Sequence, residues 1–274
     1  MSGQRALSFT CAGHTLYGVA DLPAGAHARG VLIVVGGPQY RAGSHRQFTL
    51  LSRSLAAQGV CAMRFDYRGM GDSEGEMRDF DSVEDDLRAA IDAFFAAAPQ
   101  LREVVLWGLC DAASAAALYA AQDARVAGLV LLNPWVRTDS GAAKATLKHY
   151  YRARLLDGTL WRKIARGRFD VAAAARSFAR LVRSARKTPQ AGALPDRMHA
   201  ALGRFKGKVL VILSGADLTA QEFADLADGA PKWRAWMATA RVTRQLLPKA
   251  DHTCSRREWH DQVALWTAQW VRSW

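Results

Sequence analysis

The feature that most constrains this chain is one unbroken passage, Val104-Val105-Leu106-Trp107-Gly108-Leu109-Cys110-Asp111-Ala112-Ala113. Apolar β-formers run straight into Gly-x-Cys-x-Ala and then into an alanine-rich helical pattern. A strand that turns so abruptly into a helix needs small residues two before and two after its apex, because larger side chains would collide. Gly108 and Ala112 meet that need. Such a turn belongs to sheets in which strands and helices alternate, and this governs the reading of the rest of the chain.

Short β-rich runs do alternate with helical patterns on both sides of this passage. Strands are expected over 6–10, 15–21, 30–35, 60–66, 103–107, 126–132, 208–213 and 241–247, and helices over 46–58, 82–97, 111–121, 221–228 and 256–271. Ser82 is placed as an N-cap, with Glu84, Asp85 and Asp86 in the first turn, where the helix dipole favours negative charge. The expected class is α/β, an eight-stranded mostly parallel sheet flanked by helices. With 274 residues, 50% of them hydrophobic and only 8 prolines, the chain has the means to bury a large core in one domain.

Charge is distributed unevenly. Residues 137–204 hold 16 Lys/Arg against 4 Asp, so the whole excess of a chain with net charge +12 lies there. This stretch has helical propensity and no strand alternation, and a structureless loop of such length is unusual in a compact domain. A basic helical lid over 137–205 is therefore expected between strands six and seven, inserted into a core of 1–136 and 206–274. Its charge would draw an anionic small-molecule or carrier-linked substrate, or an anionic membrane surface. No recognised nucleic-acid module accompanies the basic residues, which speaks against nucleic acid. The apolar runs at 31–35 and 129–132 are too short to span a bilayer, and residues 1–20 lack a signal-peptide core, so a cytoplasmic protein is expected.

The four cysteines, Cys11, Cys61, Cys110 and Cys254, show no metal-site spacing and no disulfide framework, and no cofactor motif is present. Most cysteines are small buried hydrophobes. Cys110 differs because it stands at the apex of the turn, where the start of a helix favours a thiolate. A nucleophile there calls for an acid and then a base later in the chain. Asp217 follows strand seven and His252 follows strand eight, so His252 is the expected base and Asp217 the residue that orients it. Asp251 competes for that role but adjoins the histidine too closely to reach its ring, and His149 and His199 lie in the lid stretch. The oxyanion donors are expected to be the backbone N–H groups of Asp111 and Gly37, with Gln39 as the alternative and Pro38 excluded for want of an N–H. The turn-rich segment 65–75 is read as a structural loop braced by an Asp/Arg pair.

The loop Asp66-Tyr67-Arg68-Gly69-Met70-Gly71-Asp72-Ser73, the turn at Cys110 and the terminal Asp and His together resemble the α/β-hydrolase superfamily over essentially the whole chain. More narrowly, Val35-Gly36-Gly37-Pro38-Gln39-Tyr40-Arg41-Ala42-Gly43-Ser44-His45-Arg46-Gln47-Phe48, with Gly108-Leu109-Cys110-Asp111-Ala112-Ala113-Ser114, resembles the type 1 hydrolase associated with the exosortase A system. That resemblance implies an α/β-hydrolase fold, triad positions at Cys110, Asp217 and His252, and a setting beside exopolysaccharide and protein-sorting genes of Gram-negative bacteria. Cysteine in place of the more usual serine points toward thioesters or activated esters. Within the longer motif, Tyr40, Arg41 and His45, with Arg46, are candidates for holding an anionic part of the substrate. Acyl transfer to another acceptor, or a binding protein whose lid docks on membrane or polysaccharide, are the competing classes. Dehalogenase and epoxide hydrolase chemistry would need a carboxylate at the apex, and cofactor-free peroxidase chemistry a serine.

Overall fold

A computed structural model describes residues 3–37, 39–136 and 192–274. Pro38 and most of the expected lid, 137–191, lie outside the described residues. Eight strands form one sheet: β1 (Gly3–Cys11), β2 (His14–Leu22), β3 (Arg29–Val34), β4 (Ala62–Phe65), β5 (Glu103–Leu109), β6 (Val126–Leu132), β7 (Lys208–Ser214) and β8 (Val242–Leu247). Their order is β1-β2-β4-β3-β5-β6-β7-β8. β1 and β2 pair antiparallel, as do β2 and β4, and every later pairing is parallel.

Seven α-helices of the described residues flank the sheet: α1 (Gln47–Ala57), α2 (Glu84–Ala97), α3 (Asp111–Tyr119), α4 (Leu194–Arg204), α5 (Leu218–Gly229), α6 (Pro231–Met237) and α7 (Arg257–Arg272). The central strands read as continuous apolar runs because both of their faces are covered. On β5, Val105, Trp107 and Leu109 face the layer containing Phe48 and Leu51 of α1 and Val263 and Ala268 of α7, while Val104 and Leu106 face the layer of α2 and α3. Each fully buried Leu or Ile side chain in these layers contributes about 2 kcal/mol.

Two departures from the sequence expectations have local causes. Ser82 does not cap α2, which begins at Glu84 with Val83 at the cap position. The Ser82 hydroxyl instead donates to the Asp79 carbonyl (2.9 Å), closing the preceding turn. The short helix α6, opened by Pro231, was not anticipated because seven residues carry too little periodicity. Within the stretch assigned to the lid, α4 buries Met198 and Leu202 in the same apolar layer as α3. No helix of the described residues is long and apolar enough to cross a membrane.

In chain order, β3 leads to β4 on one side, and the chain then crosses to β5 on the other. The crevice outside the carboxyl ends of β3 and β5 is therefore the switch point at which open α/β sheets bind ligands.

Candidate active site

Three loops meet at this crevice and its neighbours along the carboxyl edge. The first is the turn between β5 and α3, where Cys110 is forced to φ 61, ψ −122. Non-glycine residues seldom adopt a positive φ, and such strain persists only where the surroundings hold it. Here the Cys110 N–H donates to Leu132 O (3.0 Å) and its carbonyl accepts from Trp135 N–H (3.1 Å), fastening the apex to the end of β6. Gly108 is small out of necessity, since a Cβ there would lie 2.5 Å from the Ala112 backbone. Cys110 is half-buried, whereas Cys11, Cys61 and Cys254 are buried. Burial raises those three thiols, Cys254 to about 11.

The second loop follows β7 and brings in Asp217, which is 7% exposed. Its carboxylate caps α5, accepting from Thr219 N–H (3.2 Å) and Ala220 N–H (3.1 Å). It also faces His252 from the third loop, after β8, with Nδ1 and Oδ2 2.9 Å apart. Asp251 makes no competing contact with that ring; its carboxylate accepts from Ser255 N–H (2.9 Å) and from the Ser255 hydroxyl. His252 is held protonated up to about 10, first by the Asp217 hydrogen bond, then by the Cys110 side chain, against the opposing effect of burial. With Nδ1 committed to Asp217, Nε2 is the nitrogen left for the thiol.

Sequence reasoning missed Asn133. Fully buried at the end of β6 with φ 48, it donates through Nδ2 to Ser214 Oγ (3.0 Å) and His252 O (3.0 Å) and accepts from Ser214 N–H (2.8 Å). One amide thus ties the ends of β6 and β7 to the histidine loop. Its only signal in the sequence is an Asn-Pro pair closing an apolar run.

The expected oxyanion loop lies against the elbow. Gly37 N–H donates to Asp111 Oδ2 (2.8 Å), and Ala112 N–H donates to Asp111 Oδ1 (2.9 Å). The fit is close, since a Cβ on Gly36 would sit 2.1 Å from Asp111 Oδ1. The Gln39 N–H is already given to Gly37 O (2.8 Å), and the Gln39 Oε1 is buried without a hydrogen-bond partner. Burial raises the Asp111 carboxyl against the lowering effect of these backbone donors and of His252.

Tyr40 and Arg41 are turned to bracing. Arg41 pairs with the fully buried Asp66 and with Asp72 (2.8 Å), and the Tyr40 hydroxyl donates to Asp72 (3.1 Å). Arg68 grips Asp86 of α2 through a buried fork, with its Nη2 2.7 Å from Oδ2. His45 and Arg46 instead line an open cleft of about 470 Å³ with Arg257, His260 and Asp261, behind the histidine loop. His199, on α4, bonds to Lys232 O and packs on Trp233, away from the triad loops; His149 lies outside the described residues.

A mostly parallel sheet with this switch point and a sharp strand-to-helix elbow define an α/β hydrolase. A family model described as the alpha/beta hydrolase family matches residues 31–265, and the chain belongs to that family. No curated protein matches the sequence. Among solved structures, an esterase of Pyrococcus furiosus is similar, with TM-score 0.67 and 13% identity over 100% of this chain and 92% of that one. A dienelactone hydrolase from Anabaena variabilis (TM-score 0.62, 16% identity, 98% and 96% covered) is similar too. So is Est1E from Butyrivibrio proteoclasticus with ferulic acid bound (TM-score 0.62, 15% identity, 97% and 98% covered). These likenesses concern the fold.

Proposed function

We propose that the protein is a hydrolase of esters or thioesters that works through a covalent acyl-Cys110 intermediate, with His252 as acid and base and Asp217 orienting the imidazole. The observation that carries this reading is His252, which joins a buried, N-cap carboxylate to the half-exposed thiol at a strained elbow. The thiol and the imidazole can exchange a proton across this contact, so the nucleophile is activated within the site itself. The sulfur attacks the carbonyl carbon, and His252 gives its proton to the leaving group. Water, deprotonated by His252, then hydrolyses the thioester.

A thiolate nucleophile suits thioesters and activated esters better than amides. The 16 basic residues against 4 acidic ones in 137–204 favour an acyl group borne on an anionic carrier. The motif resembling the exosortase-associated hydrolase fits a role in exopolysaccharide metabolism. Acylation of the purified protein by a panel of aryl esters and acyl thioesters tests the reading. Mass spectrometry is expected to find the acyl group on Cys110, and Cys110→Ala to abolish turnover. An acyl group on another residue, or full activity in Cys110→Ala, would refute it.

A further inference from the structure

Of the candidate anion-holding side chains, Tyr40 and Arg41 are spent on Asp66 and Asp72, while His45 and Arg46 have no hydrogen-bond or ion-pair partner among the described residues. Both line a cleft of about 470 Å³, a volume that suits a small organic ligand. Two helices begin there: Gln47 opens α1, Arg257 opens α7, and each lines the cleft. The positive ends of both helix dipoles therefore favour an anion in the same space.

Gln47 is 6% exposed, and its side-chain Nε2 is buried without a hydrogen-bond partner. It shares a small inner cavity with Trp107, whose Nε1 is likewise buried and unpartnered, and that cavity adjoins the cleft through Gln47, Thr253, Cys254 and His260. Buried donors are nearly always satisfied, so two unsatisfied ones at the inner end of one cleft point to a ligand that brings acceptors. Arg46 and Arg257 supply two guanidinium groups, and among the described residues the wall holds one acid, Asp261. Asp261 lies 3.5 Å from Arg257 Nε in an exposed contact, too weak to keep that guanidinium from a ligand. His260 donates through Nε2 to the Gln47 carbonyl (3.0 Å) and braces the wall, and Asp251, near His45, is taken up by Ser255.

We propose that this cleft binds a phosphomonoester, its phosphate held by Arg46, Arg257 and His45 and its organic part against Leu50, which is 39% exposed in the wall. A phosphate turns more oxygens toward two guanidinium forks than a carboxylate has. Thr253 and Cys254, the residues after His252, line the same cleft, so the ligand sits against the back of the histidine loop. The binding stands on the cleft alone. That the phosphate belongs to an acyl carrier, and not to a free phosphate, rests on the acyl-Cys110 reading.

Calorimetric titration with inorganic phosphate, at an ionic strength held constant with chloride, tests the site. Saturable binding is expected, weakened about tenfold or more by Arg46→Gln and by Arg257→Gln. Because the Arg257 side chain is 94% exposed, its replacement leaves the fold intact. Arg53→Gln removes the same charge from α1 outside the cleft and is expected to leave the affinity within about twofold. Absence of saturable phosphate binding overturns the proposal, as does unchanged binding in both cleft variants. Equal weakening by Arg53→Gln overturns it too, since overall charge then accounts for the binding. The source of the phosphate is read from a matched pair, an acyl phosphopantetheine and the same acyl pantetheine without its phosphate. If inorganic phosphate slows acylation of Cys110 by the first alone, the carrier brings the phosphate; if it slows both alike or neither, a free phosphate is the ligand. If neither thioester acylates Cys110 while phosphate still binds, the acyl-Cys110 reading falls and the site stands.

Discussion

Two sides of the same sheet edge treat their charges in opposite ways. Beyond β3 and β4, the polar side chains neutralise one another: Arg41 with Asp66 and Asp72, Arg68 with Asp86. Beyond β5, β7 and β8, Asp217 and His252 form a chain that ends on a half-exposed thiol. The first set has its partners within the protein and therefore fixes a shape. The second leaves its last member, the Cys110 thiol, half-exposed. In the sequence the segment 65–75 reads as a structural loop and Cys110, Asp217 and His252 as a candidate triad, and the structure supplies the partners of each set.

Predictions that test this contrast range from large to small effects. Cys110→Ala is expected to lower kcat/KM for an aryl ester by about a thousandfold or more, as steady-state assays would show. Asp217→Asn should cost about a hundredfold to a thousandfold, because the wrong tautomer of His252 is then favoured, while Asp251→Asn should remain within about threefold. On the bracing side the loss should appear as stability. Arg41→Ala leaves Asp66 buried without its cation and should cost about 3 kcal/mol, read as a lowered denaturant midpoint. Asn133→Ala belongs to both sides, and should lose about 2 kcal/mol of stability together with activity, since it leaves the Ser214 N–H without its acceptor.

The smallest effect is one of pH. Because the folded-state pKa of His252 is raised to about 10, its ion pair stabilises the protein fully below about pH 6.5 and loses that contribution as pH rises toward 10. The melting-temperature gap between wild type and Asp217→Asn should therefore narrow over that window. A gap that widened would refute the assignment.

Much of this was legible in the chain. The strands announced themselves because central strands covered on both faces must be apolar throughout, as in Val104–Leu106 and Leu129–Leu132. The elbow was legible because steric crowding leaves so few residues permitted at Gly108 and Ala112. Ser82 misled because a serine before an acidic run satisfies the local rule for a cap, while the actual hydrogen bond goes backward to Asp79. Asn133 was invisible because its partners lie far along the chain, Ser214 at the end of β7 and His252 on the loop after β8.

The sequence by itself determined the alternation of strands and helices, the apex at Cys110, and the placing of Asp217 and His252 just after strands seven and eight. These depend on local sterics and on periodicity, which act between near neighbours. Only the tertiary structure decided that the Asp217 carboxylate caps α5 while it meets the imidazole, that Arg41 is consumed by Asp66, and that the Asp111 carboxyl takes the Gly37 N–H. Those outcomes depend on hydrogen bonds between loops tens of residues apart, whose distances are set by the register and twist of the sheet that carries them.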